Sequence, residues 1–184
     1  MKAISGIDYV LSAEEPKPSA DKTASVSVII VQKPVPSILF IERAKRDEDK
    51  WSGQIALPGG RREVGDATSL DTAIRESREE IGVELHKEEF VGYMPAFKTN
   101  VADLCVIPGV FLVDDKPTVV VNRNEVNSFK LVPLDYLKTD SAKQRYRFSD
   151  GVKERIEDAY VYKDYTVWGI TYRIINCLLE NHES

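Results

Sequence analysis

The chain predicts an α/β fold rich in strands, with one central and one terminal helix. Three observations carry this. The β-branched apolar run Ala24 to Val31 reads as a buried strand. Apolar or small residues Leu70, Ala73, Ile74, Ser77 and Ile81 recur at i, i+3, i+4, i+7 and i+11, one face of an amphipathic helix. The remaining segments do not show the regular strand–helix alternation of a doubly wound fold. A chain of 184 residues suits a single domain, 1–184, large enough to bury a real core.

The elements follow in order. Ile7 to Leu11 is a short apolar stretch suited to an edge strand, and Ser12 to Thr23, rich in Pro, Ser and charge, reads as a loop. After the strand at Ala24 to Val31, the two prolines in Lys33 to Ser37 mark a hairpin connection, and Ile38 to Ile41 returns as a strand. A charged loop, Ala44 to Lys50, leads to the turn residues Pro58-Gly59-Gly60. Thr68 or Ser69 can cap the central helix, Asp71 suits its first turn, and Gly82 suits the left-handed position that ends it. Strands are expected near Phe90 to Met94, Cys105 to Val113, Ser128 to Val132, Arg145 to Phe148 and Ala159 to Tyr162, with a short helix or turn at Leu134 to Leu137. Trp168 to Asn181 reads as the closing helix, with Ile170, Ile174, Cys177 and Leu178 on one face.

Composition excludes several classes. There are 25 Lys plus Arg against 30 Asp plus Glu, a net charge of −5, so no basic surplus points to nucleic acid or an anionic membrane. Hydrophobic residues make up 42 %, which argues against a disordered chain. No apolar run approaches the ~20 residues of a membrane span, and the N-terminus shows no signal peptide. Cys105 and Cys177 sit among apolar neighbours and read as buried free thiols rather than a disulfide framework. A cytoplasmic location is the expectation from this cysteine usage.

The chemistry concentrates in residues 59–83, GGRREVGDATSLDTAIRESREEIGV. Glu76, Glu79 and Glu80 fall at i, i+3 and i+4, which a helix projects to one side. Crowded carboxylates repel unless a positive charge compensates, and oxygen-only ligands suit Mg²⁺ or Mn²⁺. A charged run such as RESREE is, alone, more often a solvated helix face. The preceding Gly59-Gly60, which permits close backbone approach, shifts the balance toward a phosphate-and-metal site.

This segment resembles the signature of the Nudix hydrolases, G-x5-E-x7-R-E-U-x-E-E-x-G-U, where U is a bulky apolar residue. Gly60 matches its first Gly, and Arg75 to Val83 match its end, with Ser77 at a usually apolar position. Asp66 stands where Glu is usual, and eight residues rather than seven separate it from Arg75. Those departures are similar to the coenzyme A pyrophosphatases, as are Leu39-Phe40-Ile41-Glu42-Arg43-Ala44 and Gly53-Gln54-Ile55-Ala56-Leu57-Pro58-Gly59-Gly60. Ala44 replaces a usual Ser there, and Leu57 a usual Phe. Asn124-Glu125-Val126 and Val167-Trp168-Gly169-Ile170-Thr171 also look like this group, and the likeness runs from about Ser25 to Leu179.

The resemblance implies an α/β/α sandwich with a mixed β-sheet, the box at 60–83 forming a loop–helix–loop. It implies metal-dependent hydrolysis of a diphosphate linkage, with CoA or acyl-CoA yielding 3′,5′-ADP and (acyl-)phosphopantetheine. ADP-ribose or another nucleoside diphosphate derivative is the alternative substrate. A non-catalytic ligand sensor would usually have lost box acids, and Glu76, Glu79 and Glu80 are present. By motif position, Glu76, Glu79, Glu80 and the Gly59 carbonyl would hold Mg²⁺ or Mn²⁺. Glu76 or Glu79 would take the proton of the attacking water, Arg75 would orient a carboxylate, and Glu125 would be a further ligand or base. Arg43 would hold a substrate phosphate. Asp103 is a lesser acidic candidate, Trp51 a candidate pocket wall, and Asp66 a residue that shapes the loop. His86 and His182 receive no role. The implied partner is a small CoA-like molecule, with neither nucleic acid nor membrane. Nudix proteins are often dimers, so a homodimer is admitted, though no sequence feature demands it.

Overall fold

A computed structural model describes residues 7, 9–18, 20, 22–45, 52–99, 103–149 and 154–180. The first half runs β1 (Lys22–Val31), β2 (Ser37–Arg43), β3 (Ile55–Ala56), β4 (Gly59–Arg61), α1 (Ser69–Ile81), β5 (Phe90–Tyr93), β6 (Phe97–Lys98) and β7 (Leu104–Val113). The second half runs β8 (Val126–Pro133), α2 (Leu134–Leu137), a 3₁₀ turn (Asp140–Ala142), β9 (Lys143–Ser149), β10 (Glu154–Tyr162), β11 (Tyr165–Trp168) and α3 (Gly169–Glu180).

Eight strands form a mixed sheet. Its path is β3-β2-β1-β7-β5, with β4 paired to β1, β6 to β7 and β8 to β2. The parallel pair is β1 with β7, from Lys22 opposite Leu104 to Val31 opposite Val113. Strands β11, β10 and β9 make a second, antiparallel sheet.

The alternation of a pleated strand sorts the core into two layers. Val28 and Ile30 of β1, Ile38 and Phe40 of β2, and Val110 and Leu112 of β7 pack with Ile174, Ile175 and Leu178 of α3. Their neighbours Ile29, Val31, Leu39, Ile41, Phe111 and Val113 pack on the other face with Ala73 and Ile81 of α1. Each fully buried Ile or Leu contributes roughly 1.5–3 kcal/mol of burial energy. The result is a helix layer on each side of the sheet, the α/β/α sandwich with mixed sheet.

Helix α1 starts where the residues dictate. Thr68 accepts the Asp71 N–H on its hydroxyl, while the Asp71 carboxylate accepts the Thr68 N–H, so two end donors are satisfied reciprocally. Gly82 ends the helix at φ 65°.

Three expectations change. Trp168 closes β11 instead of opening the helix, because it pairs with Ala159 on β10. In the stretch expected as an edge strand, Tyr9 to Leu11 lie in no strand, and Ser12 just beyond them bridges to Tyr93. The short strand β4 stands where turn residues were expected, and β3 and β6 arise where no element was expected. Cys105 and Cys177 are buried free thiols, as their apolar neighbours indicate. Among the described residues no helix is long and apolar enough to cross a membrane.

Candidate functional site

The site forms where β4 meets α1. Gly59 lies opposite Val26 and Gly60 opposite Ser25 on β1. A Cβ on Gly59, at φ 153°, would come within 2.2 Å of the Ser25 carbonyl oxygen. A Cβ on Gly60 would come within 2.2 Å of Glu76 Oε1, so the glycine leaves room for that carboxylate to lie against bare backbone. The helix is anchored beneath by hydroxyls: Ser27 Oγ donates to the Ala73 carbonyl at 3.0 Å and lies 2.9 Å from Ser77 Oγ. Ser77 occupies a usually apolar position because β1 offers it a buried polar partner.

Arg75 organises the outer half of the site. Its Nε and Nη2 donate to the two Asp66 oxygens at 3.2 and 2.9 Å, a bidentate pair. Its Nη1 donates to Glu76 Oε1 and Glu79 Oε2, both at 2.9 Å, and Nη2 also donates to the Arg61 carbonyl. The Arg75 bonds hold the Asp66 carboxyl down at about 2, against the opposing effect of burial. Asp66 also accepts from the Glu63 N–H and the Thr72 hydroxyl, so it shapes the loop and fixes the guanidinium.

The inner half is acidic and dry. Glu80 is 3 % exposed and accepts the Gly59 N–H at 2.9 Å. Burial pushes its carboxyl up to about 8, and the charges of Glu76 and Glu125 push the same way. Burial also raises Glu76, with Arg75 opposing and Glu79 and Glu125 adding to the rise. Arg43, at the end of β2, supplies positive charge toward Glu80. Glu125 is tied to the same corner, since its carbonyl accepts the Ala44 N–H at 2.8 Å and its carboxylate accepts from Asn122.

Glu76, Glu80, Glu125, Arg75 and Arg43 thus converge, and Glu79 joins through Arg75. The donors are all oxygen, and the acids raised by burial and mutual repulsion call for compensating positive charge, a fit to a hard divalent cation. Among the described residues, the side chains stand in no arrangement that already encloses a metal, because Arg75 takes the facing oxygens of Glu76 and Glu79. Asp103 is exposed at the start of β7 and His86 is exposed beyond α1. Trp51 and His182 lie outside the described residues. Sequence reasoning missed the depth of Glu80 and the Ser27–Ser77 contact, which depend on how β1 and β4 pair; a serine on an otherwise apolar face was the available signal.

A helix-flanked mixed sheet with a glycine turn feeding an acidic helix defines the class. The chain belongs to the Nudix family: the NUDIX domain model matches residues 21–151, and the protein is a Nudix hydrolase. It is 30 % identical over 159 residues to an uncharacterized Nudix hydrolase, NudL, of Pectobacterium atrosepticum, covering 85 % of this chain and 81 % of that protein. It is 38 % identical over 107 residues to an uncharacterized protein of Schizosaccharomyces pombe, covering 54 % of this chain but only 32 % of that protein. A MutT/nudix family protein from Enterococcus faecalis shares the fold at a TM-score of 0.62 and 17 % identity, over 91 % of this chain and 64 % of that one.

Proposed function

We propose that this protein is a divalent-metal-dependent diphosphohydrolase of nucleoside diphosphate derivatives, with CoA or its thioesters as substrate. The convergence of Glu76, Glu80 and Glu125 with Arg75 and Arg43 beside Gly59-Gly60 carries the reading. Glu76, Glu79, Glu80 and the Gly59 carbonyl would hold Mg²⁺ or Mn²⁺. When bound, the cation neutralises phosphate oxygens and lowers the pKa of water.

The chain's own residues do the rest. Glu76 or Glu79 accepts a proton from the water that attacks phosphorus, and Glu125 is a further ligand or base. Arg43, a fixed positive charge near Glu80, binds a phosphate oxygen of the substrate. Arg75 holds Glu76 and Glu79 in place, and Asp66 holds Arg75. Hydrolysis adds water across the P–O–P bond and gives 3′,5′-ADP and (acyl-)phosphopantetheine. The CoA assignment draws support from Asp66 and its longer spacing to Arg75, which here make a bidentate pair, and from the segment Gly53 to Gly60.

The test is hydrolysis of CoA, acetyl-CoA, ADP-ribose, NADH and diadenosine polyphosphates in parallel with Mg²⁺ or Mn²⁺, with products separated by chromatography. Preferential release of 3′,5′-ADP from CoA is the expected result. Preference for ADP-ribose or another diphosphate keeps the reaction and discards the CoA substrate.

A further inference from the structure

A second concavity lies across the sheet from the acids. It encloses about 440 Å³ between Ser52–Ile55 and the small sheet β9–β11, and Tyr146, Phe148, Trp168, Glu42, Gln54 and Asp164 line it. That volume falls within the roughly 300–1,000 Å³ of small-molecule sites. Phe148 and Trp168 lie 4.1 Å apart between ring centroids, and Tyr146 lies 5.6 Å from Trp168. The three rings are half-buried and share one face, because Tyr146 and Phe148 alternate on β9 while Trp168 pairs across β10. Trp168 and Asp164 fall beyond residue 151, outside the span of the family match.

The polar lining defines the ligand. Glu42 accepts from Asn127 and Ser128, both on Oε2 and both at 2.8 Å, which leaves acceptor capacity on Oε1. Asp164 is paired with Lys130 at 2.8 Å, and the same ammonium sits 4.0 Å from the Tyr165 ring. Two carboxylates, one of them neutralised by Lys130, make the described lining acidic and disfavour a phosphate. Aromatic faces beside an acceptor carboxylate favour a planar heterocycle bearing an N–H donor, since every base offers a π-face for stacking. The cleft volume suits one small-molecule ring system.

The cleft is joined to the acidic site by the chain itself. Glu42 faces the cleft and the next residue, Arg43, faces Glu80. Ile55 forms part of the cleft and leads, four residues on, to Gly59.

We infer that this aromatic cleft is the base subsite, taking an amino-bearing nucleobase such as adenine whose diphosphate reaches around the end of β2 to the acids. The assignment of the base to a substrate rests on the reaction proposed above; the cleft itself does not.

Adenosine is the direct probe, because it carries the base without phosphate. Line broadening of its resonances, titrated with metal-free protein, reads binding in every variant. Wild type and Glu79→Gln bind alike. Trp168→Leu weakens binding about tenfold, the scale of one base–aromatic stack, and Trp168→Phe restores most of it. Glu42→Gln erodes the preference for adenosine over purine riboside, which lacks the exocyclic amino donor. In the hydrolysis assay, Trp168→Leu raises KM about tenfold with kcat within about twofold, the pattern of lost uniform binding. Phe148→Leu supplies a second variant should Trp168→Leu fail to fold.

Absence of adenosine binding, or an unchanged KM in a folded Trp168→Leu protein, overturns the inference. So does a loss of oligomer mass in Trp168→Leu without adenosine binding by wild type, which makes the face a protein interface. Adenosine binding by a protein that hydrolyses no diphosphate supports the cleft and strikes the proposed reaction instead.

Discussion

Asp66→Asn should destabilise the protein by about 2 kcal/mol at neutral pH, and the reasoning is set by geometry. Asp66 is 9 % exposed and bonds both Arg75 nitrogens. Those bonds lower its pKa from 3.8 to about 2. At ~1.4 kcal/mol per tenfold change in acidity, the ionised group contributes roughly 2 kcal/mol of stability. The folded value lies below the unfolded one, so the contribution is full above ~4 and is lost as pH falls through ~2. Thermal denaturation of wild type and Asp66→Asn across this range is the assay. At neutral pH a melting-temperature gap of about 4–8 °C is expected for a chain of this size. The gap should shrink to about half by pH ~3. Equal midpoints at neutral pH, or a gap that does not narrow on acidification, would refute the Asp66–Arg75 argument.

Gly60→Ala should fold but lose activity, on the order of 10²-fold, because the new Cβ displaces the flexible Glu76 carboxylate; circular dichroism and turnover separate the two effects. Gly59→Ala should fail to fold or unfold early in urea, because its Cβ meets the fixed Ser25 carbonyl at 2.2 Å. Ser77→Ala should cost no more than about 1 kcal/mol, since Ser27 keeps the Ala73 carbonyl as acceptor; a larger loss in denaturant would contradict that pairing. Added Mn²⁺ should raise the melting temperature of wild type, by about 2.7 kcal/mol of stabilisation at a hundredfold excess over Kd, and should lose most of this effect in Glu80→Gln.

Much of this was readable from residues whose partners are local. The period of α1, its Thr68 cap and the Gly82 terminus all depend on positions within one turn of each other. The strands β1, β2 and β7 announce themselves by β-branched apolar runs, because both their faces are covered. The pieces that escaped are fixed by distant pairing. Strands of two or three residues, such as β3 and β4, have no period of their own and exist because β2 and β1 present free edges. Trp168 reads as helical by its neighbours, yet pairing with Ala159 holds it in β11. The acids of the site were visible as a spacing, but their inequality was not. Glu79 stays half-exposed beside Arg75, whereas Glu80 is buried against the Gly59 N–H, a consequence of β4 docking on β1. The face formed by Tyr146 and Phe148 had a two-residue alternation in the sequence; its third ring came from a strand that the sequence did not reveal.

The central claim is that the box carboxylates on α1 drive a metal-dependent cleavage of a diphosphate. Its most direct test is turnover of the preferred nucleoside diphosphate derivative by wild type, Glu76→Gln and Glu79→Gln, each with and without Mg²⁺ or Mn²⁺. The account predicts that wild-type turnover vanishes on chelation and that both variants, folded by circular dichroism, lose at least about 10²-fold in kcat, the usual scale of general-base catalysis. Full activity in either folded variant, or undiminished turnover in chelator, would contradict it.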